Sequence, residues 1–219
     1  MKPYYDQDGI QIFHADCRII LPTLPKVDLV LTDPPYGMNY HSRHYVGTNP
    51  HKPIAGDDEY PVWAIEQCRS IATSACMFFL RWDNLAEIPK PDSCVVWVKN
   101  NWTAGDLEHD YARTWEAVAV YNGPNHAFRN GRTSDVIAYD RVPPTSLLHP
   151  TEKPIGLLQK LIGHHVGDTV LDPFAGSGTT LVAAKLHGCR AIGCEISEDY
   201  CRIAVERLKQ GVFAFDPVG

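Results

Sequence analysis

A glycine-rich turn near the C-terminus has the residue types of a cofactor-binding loop. The segment 170–180 reads VLDPFAGSGTT, so an apolar strand ends in Asp172 and a helix opens just after Gly178. Glycines let a backbone approach a ligand closely, and free N–H groups at a helix start favour negative charge. A P-loop needs Gly-Lys-Ser/Thr, whereas Gly178 is followed by Thr179, and a dinucleotide fingerprint needs Gly or Ala where Leu181 stands. NTP and NAD are therefore disfavoured, which leaves S-adenosylmethionine as the third ligand type that uses such a turn.

An acid stands at the end of the next predicted strand. That strand covers Ala191–Cys194 and delivers Glu195. Its carboxylate can accept hydrogen bonds from both hydroxyls of a ribose, the sugar of S-adenosylmethionine. The glycine-rich turn followed by this strand-end acid is a far more specific pattern than Gly-x-Gly alone.

A second group of chemically informative residues follows an apolar strand near the N-terminus. Residues 27–37 read VDLVLTDPPYG, which places Asp33 at the strand end before two prolines and Tyr36. Proline lacks an N–H and fixes φ, so the turn is stiff, and its carbonyls and the Asp33 carboxylate are acceptors with few local donors. Such a site suits an amino group that arrives with two N–H donors, while the Tyr36 ring offers a face for a planar base. On this hypothesis Tyr36→Phe retains much of the activity and Tyr36→Ala little.

Both segments resemble motifs of the amino-methylating DNA methyltransferases, which modify adenine N6 or cytosine N4, and the resemblance extends over nearly the whole chain. Residues 32–36 (TDPPY) match the catalytic motif and residues 172–179 (DPFAGSGT) match the cofactor loop. The segment 149–154 (HPTEKP) is similar to the motif at the methionine end of the cofactor, and 14–17 (HADC) to the segment that contacts its adenine. The catalytic residues that the resemblance implies are Asp33, Pro34, Pro35 and Tyr36. The cofactor-binding residues that it implies are Asp16, Cys17, Thr151, Lys153, Asp172, Phe174, Ala175, Gly176, Ser177, Gly178, Thr179, Glu195 and Ile196.

The order of the motifs resembles that of the permuted group usually called β, because the catalytic motif precedes the cofactor loop. The resemblance implies an α/β fold: a single-domain, doubly wound, mostly parallel, seven-stranded Rossmann-like methyltransferase sheet, circularly permuted. We expect one domain over 1–219, with a catalytic half at about 1–148 and a cofactor-binding half at about 149–210. Little of the chain is left for the sizeable target-recognition insert of many relatives, so sequence readout must come from loops, come from a partner subunit, or be relaxed.

The implied reaction is transfer of a methyl group from S-adenosylmethionine to the exocyclic amino group of a base flipped out of DNA. Hydrogen bonds from the amino group to Asp33 and to the Pro34 carbonyl would aim its lone pair at the methyl group, without a covalent enzyme intermediate. Adenine N6 is expected because the family associates Asp at this position more often with adenine, and Ser with cytosine. Cytosine N4 is the alternative, followed by methylation of RNA or of a protein glutamine.

Alternating β-type and helix-type stretches indicate a mostly parallel sheet covered by helices. The predicted strands are Gln11–His14, Asp28–Thr32, Ala75–Leu80, Cys94–Lys99, Glu116–Tyr121, Val136–Tyr139, Thr169–Asp172 and Ala191–Cys194. The predicted helices are Tyr60–Ser74, Pro154–His165, Thr179–His187 and Ser197–Lys209, the last with Ser197 as its cap.

Two acid-poor loops are candidates for contact with DNA phosphate. The chain has 219 residues and a formal net charge of −6, so wholesale coating of nucleic acid is not expected, although a local basic face is compatible with it. The segment 39–53 carries Arg43 and Lys52, and the segment 121–134 carries Arg129 and Arg132. These four side chains are the predicted DNA contacts, and the alternative is a pair of solvated loops.

Several other classes of protein are excluded by composition. The seven cysteines form no C-x-x-C pair and none of the ten histidines has ligand spacing, so no metal is expected, and His164–His165 should lie on the surface at a helix end. The N-terminus lacks the apolar core of a secretory signal, and the longest mostly apolar run, Ile71–Leu80, is too short to cross a bilayer. These features predict an intracellular, cytoplasmic protein without membrane contact, and the resemblance implies a bacterial or phage origin. Whether the chain forms a homodimer is left open.

Overall fold

The computed structural model describes residues 1–38, 58–99, 109, 111–142, 152–165 and 167–210. Within these residues, nine strands form one sheet: β1 (Tyr5–Gln7), β2 (Ile10–His14), β3 (Val27–Thr32), β4 (Ala72–Leu80), β5 (Ser93–Val98), β6 (Trp115–Asn122), β7 (Val136–Ala138), β8 (Thr169–Asp172) and β9 (Arg190–Glu195). Their order across the sheet is β1-β2-β9-β8-β3-β4-β6-β5-β7. The neighbours from β2 to β4 are parallel, as are β5 and β7, whereas β1 and β6 run antiparallel to the strands beside them.

The mostly parallel sheet confirms the predicted α/β class, but the expected number of seven strands is wrong. The three-residue strands β1 and β7 extend the two edges of the sheet, which brings the described total to nine. Every predicted strand is present. β1 was not predicted because its sequence, Tyr-Asp-Gln, has two polar residues, and its pairing with β2 is not visible in a local pattern.

In the described part of the chain, five α-helices accompany the sheet: α1 (Cys17–Ile20), α2 (Val62–Ile71), α3 (Ile155–His164), α4 (Thr179–Leu186) and α5 (Glu198–Lys209). The four longer helices confirm the predicted ones. α1 is a single turn that Asp16 caps by accepting the Arg18 N–H. Ser197 occupies the N-cap position of α5, but its side chain makes no capping hydrogen bond, contrary to expectation. No helix of the described residues is long and apolar enough to cross a membrane.

Apolar side chains fill both faces of the sheet. On β3, Leu29 and Leu31 belong to the cluster under α3, α4 and α5, whereas Val30 belongs to the cluster under α1 and α2. Burial on both faces explains why β3 reads as a continuous apolar run instead of an alternating one. The sheet is therefore doubly wound, as predicted.

The chain changes direction across the sheet between β8 and β3. From β3 it proceeds to β4 on one side, and from β8 it proceeds to β9 on the other. Open α/β sheets bind ligands beyond the carboxyl ends of the strands at such a point, and here Asp33 and Asp172 flank it. The antiparallel strand β6 begins at the same edge, because Ala117 pairs with Leu80 at the end of β4. Asp33, Asp172 and Glu116 therefore share one edge of the sheet.

Candidate functional site

Asp33 follows β3, and both oxygens of its carboxylate are engaged. Oδ1 accepts a hydrogen bond from the Tyr36 hydroxyl at 2.6 Å, and Oδ2 accepts one from the Lys153 ammonium at 2.6 Å. The expectation that this acid has few donors nearby is wrong, because Lys153 arrives from a segment 120 residues away in the chain. Each oxygen keeps a second lone pair, so the carboxylate can still accept hydrogen bonds from a ligand.

The Lys153 ammonium connects Asp33 to further charged side chains. Its Nζ lies 3.1 Å from the Tyr36 hydroxyl oxygen and 3.3 Å from Glu116 Oε2. Glu116, on β6, also accepts a hydrogen bond from Lys99, which follows β5. The Lys153, Lys99 and Glu116 side chains are only 6%, 7% and 16% exposed, so their charges compensate one another away from bulk water. We call Asp33, Tyr36, Lys99, Glu116 and Lys153 the charged corner.

Burial and ion pairing oppose each other in the charged corner. Burial raises the pKa of Asp33 above its ordinary value, although Lys153 partly offsets this effect. Burial alone would lower the pKa of Lys153, but attraction to Asp33 and Glu116 holds it above its usual value. Burial opposes ionisation of Glu116, but attraction to Lys153 and Lys99 outweighs it and lowers the pKa of Glu116 to about 2. Lys153 and Glu116 are therefore both charged at neutral pH.

The turn that carries Tyr36 is held by its surroundings. Pro34 is buried, Pro35 is half-buried, and the Tyr36 carbonyl accepts a hydrogen bond from Asn84 Nδ2 at 3.3 Å. Gly37 has a φ of +73°, and a side chain there would meet a backbone nitrogen at 2.8 Å. The Tyr36 ring packs against both apolar clusters, and burial raises the pKa of its hydroxyl. The hydroxyl thus has specific partners, which the stacking hypothesis did not assign to it.

The glycine loop (residues 172–179) begins with a buried acid. Asp172 Oδ1 accepts hydrogen bonds from the Thr32 hydroxyl at 2.6 Å and from the Phe174 N–H at 3.1 Å. Burial raises the pKa of Asp172 to about 6. These bonds tie the end of β8 to the end of β3, so Asp172 fixes the start of the loop.

Two glycines shape the rest of the loop. Gly176 has a φ of +51° and Gly178 a φ of +80°, conformations that residues with a side chain rarely adopt. A Cβ at Gly178 would lie 2.7 Å from the Cβ of Ala204 on α5. The start of α4 is therefore packed closely against α5. The other predicted residues of the loop are buried or half-buried: Phe174, Ala175, Ser177 and Thr179.

Arg207, on α5, is hydrogen-bonded to this loop. Its Nη1 donates to the Ser177 carbonyl at 2.9 Å and to the hydroxyls of Ser177 and Thr179 at 3.0 and 2.9 Å. Its Nη2 donates to Glu152 Oε1 at 2.6 Å, in an ion pair whose side chains are 11% and 6% exposed. Glu152 immediately precedes Lys153, so of two adjacent residues one pairs with Arg207, which holds the glycine loop, and the other pairs with Asp33 in the charged corner.

Pairing between β2 and β9 brings the predicted adenosine-binding segments together. His14 pairs with Glu195, and the His14 ring lies 3.1 Å from the Ile196 carbonyl. Asp16 and Cys17 follow His14 at the same edge. Asp16 is bonded to the Arg18 side chain and Cys17 is buried, which raises the pKa of its thiol to about 12. The two ends of the chain thus supply neighbouring parts of one site.

The Glu195 carboxylate is held by backbone donors. It accepts the Gly176 N–H at 2.9 Å and the Ser197 N–H at 2.7 Å, one on each oxygen. Burial raises the pKa of Glu195 above its usual value. The neighbouring Ile196 side chain is exposed. The Glu195 carboxylate and the apolar Ile196 side chain therefore lie beside the glycine loop.

The remaining predicted residues fall into two groups. Thr151, Arg43 and Lys52 lie outside the described residues. Arg132 is exposed.

Arg129 is not brought to the edge that carries Asp33. Its Nε donates to the His165 carbonyl at 2.8 Å, and its Nη2 donates to the Gly167 carbonyl. These carbonyls precede β8, so they lie at the amino ends of the parallel strands, opposite Asp33. The contacts of Arg129 tie its loop to the end of α3.

Histidines gather at this opposite edge. The His126 and His165 rings are 5.4 Å apart, and the Phe128 ring is 5.4 Å from both His164 and His165. His165 is buried, so its expected surface position is wrong: its ring packs under His126 and Phe128, and burial lowers its pKa to about 4. Within the described ranges, no three His, Cys, Asp or Glu side chains are arranged to hold a metal ion.

Sequence reasoning did not single out four residues of the site: Lys99, Glu116, Glu152 and Arg207. Lys99 follows the apolar run of β5 and Glu116 precedes that of β6, so each is a charge beside a buried strand, which is an available signal. Arg207 lies in the last turn of an amphipathic helix, where a basic residue normally indicates a solvated position.

The sequence is similar to those of DNA methylases. Residues 104–206 match the N6/N4 methyltransferase family, described as "DNA methylase". The chain is 33% identical over 216 residues to "Putative methylase YubD" of Escherichia coli strain K12, a match that covers 90% of this chain and 89% of that protein. It is 26% identical over 257 residues to "DNA adenine methyltransferase YhdJ" of the same strain, covering 93% of this chain and 84% of that protein.

Solved methyltransferase structures share the fold. The crystal structure of the M1.HpyAVI–SAM complex superposes with a TM-score of 0.71 at 24% identity and covers 91% of this chain and 98% of that chain. The PvuII cytosine-N4-specific DNA methyltransferase gives a TM-score of 0.72 at 13% identity, covering 97% and 91%. These similarities confirm the predicted methyltransferase fold.

Proposed function

The chain belongs to the amino-methylating DNA methyltransferases, the N6-adenine and N4-cytosine family, and we propose that its target is the N6 amino group of adenine in DNA. S-adenosylmethionine is the methyl donor of this family. The observation that carries the proposal is the Asp33 carboxylate at the switch point of the sheet. It is held by Tyr36 and Lys153, and each of its oxygens retains a lone pair for an incoming N–H donor.

The residues around the glycine loop fit S-adenosylmethionine by their chemistry. The Glu195 carboxylate is held by backbone N–H groups beside the glycine loop, and a carboxylate acceptor suits the ribose hydroxyls. Ile196 is 54% exposed beside it and provides an apolar surface for the adenine ring. When bound, S-adenosylmethionine supplies an electrophilic methyl group. Asp16, Cys17, Thr151, Lys153 and the residues of the glycine loop complete the proposed cofactor site.

The charged corner acts on the amino group. The lone pair of the amino nitrogen is delocalised into the ring of the base, which makes this nitrogen a poor nucleophile. Hydrogen bonds from its two N–H groups to Asp33 and the Pro34 carbonyl favour a pyramidal nitrogen and direct the lone pair towards the methyl group. Because Tyr36 and Lys153 already hold Asp33, this acceptor needs no reorganisation when the base arrives.

The base must first leave the DNA duplex, in which the amino group is stacked and paired. Flipping costs a few kcal/mol, and stacking on Tyr36 would recover about 1–3 kcal/mol of it. Two considerations favour adenine: a purine offers Tyr36 the larger face, and the family associates Asp at position 33 more often with adenine than with cytosine. The relative YhdJ is named as a DNA adenine methyltransferase, which supports the same assignment.

Mass spectrometry of nucleosides tests the assignment. The protein is incubated with S-adenosylmethionine and unmethylated DNA, with the Asp33→Ala protein as a matched blank. We expect N6-methyladenine in the digested DNA. N4-methylcytosine alone would overturn the assignment to adenine, and methylation of RNA or a protein glutamine without DNA would overturn the proposed substrate.

The cofactor site is tested separately by calorimetry without DNA. Glu195→Ala should weaken binding of S-adenosylmethionine by about 1.5–3 kcal/mol, because charge-assisted hydrogen bonds to the ribose are lost. The exposed Glu198, at the start of the same helix, provides the control Glu198→Ala, which should bind like wild type. Equal affinity of the Glu195→Ala and wild-type proteins would remove Glu195 from the cofactor site.

A single methyltransferase domain, a cytoplasmic location and DNA contacts through Arg43, Lys52 and Arg132 complete the proposed function. The contacts of Arg129 favour a structural role for that residue instead.

A further inference from the structure

Glu116 faces the two side chains that touch Asp33. Its Oε2 lies 3.3 Å from the Lys153 ammonium and 3.3 Å from the Tyr36 hydroxyl oxygen, while its Oε1 accepts a hydrogen bond from Lys99. The residue lies on β6, which pairs with β4 on one side and β5 on the other. Glu116 therefore lies on an interior strand of the sheet, whereas Asp33 and Tyr36 belong to a turn.

The Lys153 ammonium has as many acceptors as it has hydrogens. Its three hydrogens match Asp33 Oδ2 at 2.6 Å, the Tyr36 hydroxyl at 3.1 Å and Glu116 Oε2 at 3.3 Å. Two of these acceptors lie on the turn and one lies on the sheet. Glu116 thus defines the direction from which a flexible lysine side chain approaches Asp33, and so it defines which lone pairs of Asp33 remain open.

The charges in this corner also balance. Asp33 and Glu116 carry negative charge, Lys99 and Lys153 carry positive charge, and the ion pairs between them are largely buried. Loss of Glu116 alone would leave one buried positive charge without compensation, which is costly in a protein interior. Loss of Lys99 together with Glu116 would restore the balance.

We propose that Glu116 is a positioning residue for methyl transfer: it holds the Lys153 ammonium on Asp33, so that Asp33 presents fixed acceptors to the target amino group, and Lys99 balances its charge. The proposal rests on the proposed function for the transfer step. Neither Glu116 nor Lys99 needs to touch the base or the cofactor.

The test uses the full chain in four forms: wild type, Glu116→Gln, the double variant Glu116→Gln/Lys99→Met and the control Glu66→Gln. Glutamine keeps the shape of the side chain and removes its charge. Glu66 lies on α2 in an exposed pair with Arg69, far from the charged corner. The single-turnover rate of methyl transfer to DNA is measured over a range of pH, together with the affinity for S-adenosylmethionine and the melting temperature.

We expect Glu116→Gln to slow transfer by about tenfold or more, which is the loss that one charge-assisted hydrogen bond carries. Affinity for S-adenosylmethionine should fall less than the transfer rate does, since Glu195 and the glycine loop are untouched and Lys153 alone of the proposed cofactor residues contacts Glu116. The double variant should be faster than the single one, because it is again neutral, and Glu66→Gln should behave like wild type. A double variant slower than the single one would indicate two independent structural losses and would overturn the proposal.

The pH profile separates positioning from a merely structural role. Glu116 repels an ionised Asp33 and attracts a protonated Lys153, so its loss should lower the pKa of both groups. Both limbs of the rate profile should therefore move to lower pH in Glu116→Gln and return towards wild type in the double variant. The other ionisable groups that act on this corner, Asp172, Tyr60 and Arg141, are the same in all four proteins. A slower variant with an unmoved profile would contradict the proposal.

One measurement does not depend on activity. Lysine side-chain carbon resonances, with Lys153 assigned from a Lys153→Met sample, report the titration of Lys153 directly. A lower pKa of Lys153 in Glu116→Gln supports the proposal, and an unchanged pKa overturns it. If wild type transfers no methyl group to DNA, the proposed function fails and this titration alone decides the role of Glu116. If Glu116→Gln does not fold, folding of the neutral double variant supports the charge balance, and its failure to fold contradicts it.

Discussion

The glycine loop and the charged corner lie at the same edge of the sheet but are held together by different means. The glycine loop is contiguous in sequence, and its shape depends on backbone conformation at Gly176 and Gly178. The charged corner joins side chains from four separate segments, with Asp33 and Lys153 120 residues apart. A backbone-shaped site can be recognised from a short motif, whereas a site of paired side chains depends on topology.

The glycine loop and the charged corner are connected through the adjacent residues Glu152 and Lys153. The substitution with the largest expected effect tests this connection. Arg207→Met removes the buried ion pair with Glu152 and the hydrogen bonds to Ser177 and Thr179, so the free energy of unfolding should fall by about 3–5 kcal/mol. Urea denaturation measures the change. Because Glu152 adjoins Lys153, we expect both the rate of methyl transfer by the folded protein and its affinity for S-adenosylmethionine to fall.

The matched control is Arg202→Met on the same helix, where the arginine forms an exposed pair with Asp199. It should leave stability nearly unchanged. If Arg207→Met lowers affinity for the cofactor but leaves the transfer rate of the folded, saturated enzyme intact, the two regions are independent and the connection has no coupling role.

The second prediction tests whether the charged corner affects methyl transfer without affecting affinity for S-adenosylmethionine. Asp33→Ala should reduce transfer by about 10²–10³-fold, because a preorganised acceptor for the amino group is lost. Affinity for S-adenosylmethionine should stay near that of wild type, since the Glu195 side of the site is unchanged. Asp92→Ala, at the opposite edge of the sheet where Asp92 accepts the Asn122 N–H, serves as the control. A parallel loss of affinity and transfer in Asp33→Ala would assign Asp33 to the cofactor site instead.

The same contrast explains how much the sequence could predict. The longer helices and every strand except β1 were predictable because apolar runs and periodic faces are local, and the glycine loop was predictable because its motif is contiguous. Lys99 and Glu116 were not, since they meet only after β5 and β6 pair antiparallel, with Val98 opposite Trp115. The donors to Asp33 were underestimated for the same reason, because Lys153 reaches it only through the order of the strands.

The third prediction concerns the Tyr36 hydroxyl, for which the structure changes the sequence-based expectation. Tyr36→Phe removes the donor to Asp33 Oδ1 and one acceptor of Lys153, so we expect transfer to slow by about tenfold, the cost of one hydrogen bond to a charged group. Tyr36→Ala should be slower still, because the ring is lost too. Single-turnover rates of both variants test this ranking. A Phe variant as fast as wild type would leave stacking as the whole contribution of Tyr36.

The smallest expected effect concerns DNA contact by the loop between β6 and β7, which carries both Arg129 and Arg132. Arg132 is exposed, whereas the Arg129 guanidinium already donates hydrogen bonds to carbonyls at the amino ends of the strands. Arg132→Ala should therefore reduce the slope of log affinity against log salt by about 1, as expected for one lost phosphate contact. Arg129→Ala should lower the melting temperature slightly and leave the salt slope unchanged, because its loss frees the loop but removes no phosphate contact. If Arg129→Ala changes the slope and Arg132→Ala does not, Arg129 is a phosphate contact in addition to its bonds to the two carbonyls, and the assignment of Arg132 to DNA contact is overturned.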